Sequence, residues 1–312
     1  MNVSTGGPVS AGTGANAEHR LGGVVGGGLL SAVLSGLGLS AVPLAVQRLR
    51  GGAVAGSLAT ALGAATIAAL VTPGAAALYL LVLAPCGLLL GEALARGRGL
   101  LRGCTWAFAL LLVELAIALF FAAPSMEQRS LQPLDPKRSE AFLSDLQKKG
   151  VPEDTVADIR EQAAAMREVM AVVFPAAWII AAALLVIANA ALLRLYLLRR
   201  DPGWLEDGEF ERIHFPLALV AVFILAGASV ALPLFRPAAY NVLLVVAFFF
   251  ALQGLAVVGF YARRLAAPPL LRLALLVLVL ANPWAPEILA LLGLFDNWFD
   301  FRRWAEPPRE KV

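Results

Sequence analysis

At 312 residues, 60% apolar, 15% charged and with a mean hydropathy of +0.78, the chain departs from soluble proteins, which run about 45–50% apolar and about 25% charged. The net charge of +3 sits mostly between apolar runs, where membrane topology accounts for it better than nucleic-acid binding. Composition thus excludes a soluble enzyme or nucleic-acid module, and it predicts an all-α, polytopic transmembrane helix bundle.

Residues 1–20, rich in Gly, Ser, Ala and Thr, read as a disordered N-terminus. They lack the basic start and compact apolar core of a cleavable signal peptide. A crossing takes about 20 apolar residues, and Leu21–Val46 is the first such run, closed by Arg48 and Arg50; Gly36, Gly38 and Pro43 weaken its second half, so it reads as one crossing or as one crossing plus a short re-entrant piece. Ala53–Val71 and Ala75–Leu94 follow as a hairpin across Thr72-Pro73-Gly74, then Gly103–Ala123. The segment from Pro124 to Glu168 is polar, with seven Lys/Arg and nine Asp/Glu. It predicts a short amphipathic helix ending at Gly150, then a second helix starting near Pro152 that runs into a fifth crossing, Val169–Leu198, kinked at Pro175.

Pro216–Phe235 and Tyr240–Tyr261 are the sixth and seventh runs. Leu270–Phe301 is broken by Asn282-Pro283-Trp284-Ala285-Pro286 and is expected to form two short helices; residues 305–312 are a tail. The expected total is about eight crossings, within a range of about seven to nine. Alternating the connections puts twelve arginines on one side and nine basic residues, diluted by acids, on the other. The first side is expected to be cytoplasmic, with the 124–168 segment outside.

Small residues recur at four-residue intervals: Gly22/Gly26, Gly23/Gly27, Ala32/Gly36, Gly52/Gly56 and Ala59/Gly63. In lipid, close backbone approach through such residues drives helix association, so these positions predict a packed face, internal or for a partner.

Four landmarks then occur in order: Phe174-Pro175-Ala176, Phe215-Pro216, Gln253-Gly254-Leu255-Ala256-Val257-Val258, and Leu292-Gly293-Leu294-Phe295-Asp296-Asn297-Trp298-Phe299-Asp300-Phe301-Arg302. Together they resemble the YybS-like (DUF2232) family of bacterial membrane proteins, over roughly Leu21 to Trp304. That resemblance implies a fold more than an activity. Its N-terminal half is similar to the substrate-binding S-components of energy-coupling-factor transporters, in which a helix rich in small residues docks on a transmembrane coupling subunit. No vitamin-binding signature accompanies it.

Glu114 is the sharpest single residue, mid-crossing in Leu112-Val113-Glu114-Leu115-Ala116. An ionisable group there costs about 2.5–3.5 kcal/mol and marks either a functional site or a hydrogen bond to another helix. Asn189, Gln253, Arg194 and Arg272 are its potential partners. Asn189, Asn241 and Gln253 are lone amides in apolar runs, suited to a ligand or to interhelical hydrogen bonds. Glu92 and Arg96 are spaced for an ion pair at a helix end, and Glu287 beside the proline break would cap a short helix or line a cavity. Asp296, Asn297 and Asp300 offer oxygens for a cation or a basic partner, or else an interfacial helix end flanked by aromatic anchors. Cys86 and Cys104 read as buried hydrophobes, and His19 and His214 form no metal-ligand spacing. No nucleotide loop, zinc-protease helix or Ser/His/Asp set is present. The expectation is a non-enzymatic, cofactor-free inner-membrane protein that binds a small molecule or serves in a transport complex. A membrane scaffold acting through residues 124–168 is the alternative.

Overall fold

The computed structural model describes residues 12–132, 135–265, 268, 271, 277 and 281–303. Among them every regular element is helical. In order these are α1 (Gly12–Ser35), α2 (Ala41–Leu70), α3 (Pro73–Leu78), a π turn (Tyr79–Leu83), α4 (Ala84–Ala95), α5 (Leu100–Leu131), α6 (Pro136–Lys148), α7 (Glu153–Arg200), two 3-10 turns (Pro202–Trp204 and Phe210–Arg212), α8 (Leu217–Ser229), α9 (Arg236–Arg264) and α10 (Ala285–Phe299). Among the described residues, five stretches are long and apolar enough to cross a membrane: Ala41–Leu70, Pro73–Ala95, Leu100–Phe121, Glu153–Arg200 and Arg236–Arg264. Gly22–Ser35 and Leu217–Ser229 are shorter apolar helices. The remaining expected crossing begins at Leu270, where most residues to 280 lie outside those described, as do Arg272, Trp304 and the tail.

The first expected crossing divides. Gly38, at φ +70, turns the chain between α1 and α2, a conformation that costs a glycine little. Arg48 and Arg50 therefore lie inside α2 rather than ending a crossing. Their carboxylate partners come from distant sequence: Arg48 and Arg96 flank Glu92, and Arg50 pairs with Asp201 beside the Tyr196 ring. Past them, α2 kinks at Gly52, φ +75.

Pro85 has no N–H to give the carbonyl four residues back, and the neighbouring backbone widens into the π turn, with Ala84 N–H bonded to Tyr79 O. Helix α5 runs through Pro124 to Leu131, past the expected stop at Ala123. The added turns carry the helix formers Met126, Glu127, Gln128 and Leu131. Helix α6 ends before Gly150, φ +85, and α7 continues unbroken through Pro175, about 72 Å at 1.5 Å per residue. Helix α8 stops at Ser229, short of the expected Phe235, in a run of turns ahead of α9.

The chain divides into two compact units, Met1–Glu114 with Ala182–Asp207, and Leu115–Ala181 with Gly208–Val312. The first is built on an apolar cluster that includes Ala45, Leu90, Leu94, Leu111, Val186, Leu193 and Leu197. A second cluster sets Leu44 and Tyr79 among alanines. In the other unit Val220, Val246 and Phe250 form the core, with Phe223 edge-on to Phe250. Large apolar side chains stay outside: Phe120, Phe121 and Leu234 are about four-fifths exposed. A surface of that kind suits hydrocarbon, not water.

Candidate functional site

In the second unit α9 and α10 cross at two glycines. A Cβ on Gly254 would strike the Leu289 carbonyl, and one on Gly293 would strike the Phe250 carbonyl and the Gly254 amide. Backbones that close bury whatever lies beside them: Gln253 is fully buried and Asp296 is 1% exposed. The Gln253 Oε1 accepts from Phe215 N–H at 2.9 Å, and its Nε2 donates to Asp296 Oδ2 at 3.1 Å. Helix α10 ends at Asp300, whose left-handed φ of 43 turns the chain back. Phe301 N–H then reaches Asp296 Oδ1 (3.2 Å) and Arg302 Nη2 reaches Oδ2 (3.0 Å). Arg302 also donates to the carbonyls of Glu211 and Ile213, while Arg263 holds Glu211 and the Tyr261 hydroxyl donates to Phe301 O. His214, half exposed, lies 3.8 Å from Asp296 Oδ2.

This constellation ties the 211–215 loop, α9, α10 and the turn after α10 around one buried carboxylate. Asp296, Asn297 and Asp300, neighbours in sequence, do separate jobs. Asp296 is compensated by Arg302, Asn297 donates to the Gly293 and Leu294 carbonyls, and Asp300 forms the helix end. Among the described residues no group of three or more His, Cys, Asp or Glu is arranged to hold a metal ion.

Asn241 has a different task in the same unit. Its Oδ1 accepts from Ala176 N–H and its Nδ2 donates to Val172 O, both at 2.8 Å. Those groups are an i, i+4 pair of α7 spanning Pro175. A side chain placed in this way satisfies backbone groups beside a proline within a helix.

In the first unit the polar groups gather at the α1–α2 break. The Ser31 hydroxyl donates to Ser40 O (3.0 Å), which spends its only hydrogen, so the Tyr79 hydroxyl is the donor in the 2.9 Å Tyr79–Ser31 contact. Asn189 Nδ2 donates to the carbonyls of Gly38 and Leu185. Two atoms at the break have no partner among the described residues: Asn189 Oδ1 and Ser40 Oγ, both in residues 0% exposed. Ser40 is at the N-cap of α2, but the third helical residue is Pro43, which has no N–H to offer it. Depth follows from neighbouring helices. The backbones of Gly87 and Gly91 touch Ala41 and Ala45. The break is thereby packed among α2, α4 and α7.

Glu114 stands apart. It continues the stripe of Ala107 and Leu111 on α5, its Oε2 is buried, and it makes no hydrogen bond or ion pair with a described residue. Among the small residues, Gly23 and Gly27 accommodate Gln47 and Gly56 meets Leu88, while Gly22, Gly26 and Gly52 meet nothing within 4 Å. Other helices come close at Gly28 with Ala59, Gly63 with Tyr79, and the Gly87/Gly91 and Gly254/Gly293 contacts.

A family model described as a predicted membrane protein, DUF2232, matches residues 28–297. The chain belongs to the DUF2232 family. The match includes Ser40, Glu114, Asn189, Asn241, Gln253 and Asp296. No curated protein and no solved structure matches the chain. In this DUF2232 protein the four sequence landmarks share one unit. Ala176 meets Asn241, Phe215 meets Gln253, and Gln253 and Arg302 meet at Asp296. Ser31, Ser40, Tyr79 and Glu211 escape the sequence reading. The signal for the first three was the doublet Gly36/Gly38, which frees carbonyls inside an apolar run and so demands polar partners.

Proposed function

We propose that this DUF2232 protein is a small-molecule-binding subunit of a transport complex in the bacterial inner membrane, comparable in role to the S-components of energy-coupling-factor transporters. The observation that carries the reading is the pair of buried, unpartnered oxygens, Asn189 Oδ1 and Ser40 Oγ, at a helix break deep in the first unit. Leaving a buried polar group unsatisfied costs about 1–3 kcal/mol, so a bound molecule that supplies donors gains that much there. Transporters hold substrates at discontinuous helices near the bilayer midplane for the same reason. Glu114 adds a second uncommitted group in the same unit. The reading takes about eight crossings, with the arginine-rich short loops facing the cytoplasm.

Native mass spectrometry of the full chain, released from mild detergent, tests this. A small-molecule adduct is expected on the wild type and is lost on Asn189→Leu. A wild type free of adduct, together with no ATPase module on pull-down, would reject the proposal. Capture of an envelope protein that requires residues 124–168 would then favour the scaffold.

A further inference from the structure

The second unit has an apolar cleft that the polar constellation does not use. It occupies about 710 Å³ between α7, α8 and α9, with walls from Val172, Val173, Phe223, Leu244 and Ala247. Two polar side chains, Glu168 and Tyr240, line it. The bonds from Asn241 to Val172 and Ala176 fix the register of α9 on α7, so Glu168 and Tyr240 share one end and hydrocarbon walls the other. At that end α7 changes from its polar run to the apolar run beginning at Val169. A helix changes character in this way at the headgroup layer. Neither Glu168 nor Tyr240 has a hydrogen-bond or ion-pair partner among the described residues. Arg236 stands one turn before Tyr240 on the stripe that continues to Leu244 and Ala247. Its Nε donates to Val230 O at 3.1 Å, and its other N–H groups have no partner among the described residues.

We infer that this cleft binds one glycerophospholipid of the phosphatidylethanolamine type. An acyl chain fills the apolar walls, the primary ammonium donates to the Glu168 carboxylate, and the phosphate faces Arg236. The cleft lining excludes a polar solute. Glu168 rejects a purely anionic headgroup by like charge. It also discriminates against choline, whose quaternary nitrogen has no N–H to donate. Arginine supplies the fork that phosphate oxygens accept.

The test reconstitutes the full chain in nanodiscs made from equal parts of phosphatidylethanolamine, phosphatidylcholine and phosphatidylglycerol. Lipid retained on the protein is then read by native mass spectrometry after transfer to detergent. One phosphatidylethanolamine is expected, enriched about fivefold over either competitor, equivalent to about 1 kcal/mol. Glu168→Gln, at an exposed position, abolishes the preference while leaving the melting temperature unchanged. Ala247→Trp fills the cleft and removes the retained lipid, whereas Leu234→Trp, on the open surface, does not. Equal retention of the three lipids means an annular layer only and overturns the inference. So does a preference that survives Glu168→Gln. Should Ala247→Trp fail to fold, the Glu168→Gln comparison decides alone.

Discussion

Replacing Asp296 by leucine removes the carboxylate on which Gln253, Phe301 N–H and Arg302 converge. The Arg302 side chain, 14% exposed, is left facing a hydrocarbon group. Removing one partner of a buried pair costs about 3–5 kcal/mol, mainly through the charge left uncompensated. At about 2–4 °C per kcal/mol for a domain of this size, the melting temperature should fall by about 6–20 °C. Tryptophan fluorescence in detergent follows the transition, because Trp284 and Trp298 sit at the two ends of α10. Arg302→Met alone should be similarly destabilising. The double variant Asp296→Leu/Arg302→Met should lose at least about 2 kcal/mol less than the sum of the singles, the sign of direct coupling. A single-variant loss under 2 °C, or additive effects, would refute the idea that this pair closes the second unit.

Alanine at Gly293 forces α10 away from the Phe250 carbonyl and should cost about 1–3 kcal/mol, while Gly26→Ala, with nothing within 4 Å, should leave the melting temperature unchanged. Asn241→Leu strips Val172 O and Ala176 N–H of their partner. The expected loss is about 0.6–1.7 kcal/mol, the range measured for polar contacts in membranes, read as faster hydrogen exchange confined to α7 around Pro175. Glu114→Leu, at a position with no partner among the described residues, should raise stability by about 1 kcal/mol or more, because the insertion cost of the carboxyl disappears. If Glu114 serves ligand binding, the same variant loses the adduct seen by native mass spectrometry, and a variant both destabilised and fully loaded would contradict both roles.

Elements whose cause lies within one or two turns were legible in the sequence. The continuity of α7 through Pro175, the stop at Gly150 and the break at Asn282–Trp284 follow from apolar runs and local punctuation. The α1–α2 break was legible only in part, from Gly36, Gly38 and Pro43 within the run from Leu21 to Val46, because the amide that serves the turn, Asn189, is 151 residues from Gly38. Arginines inside α2 looked like an end because their carboxylates, Glu92 and Asp201, arrive only in the fold. Gly22/Gly26 and Gly87/Gly91 carry the same spacing, and only the second pair meets a neighbouring backbone. Spacing puts residues on one face; which face is occupied is a tertiary fact. Around Asp296 the sequence displays acids and an amide in a row, but the left-handed turn at Asp300 decides which of them receives Arg302.

The π turn at Tyr79–Leu83 holds one residue more than an α-turn would. Deleting any single residue there lets the ladder close, which swings the segment back to Pro73 by about 100° against Ala84–Ala95. Tyr79 would then swing off Ser31 and vacate the notch at Gly63. Gains and losses of single residues among DUF2232 sequences are therefore expected in the Val71–Gly74 link, where a loop absorbs them, and not between positions 79 and 83.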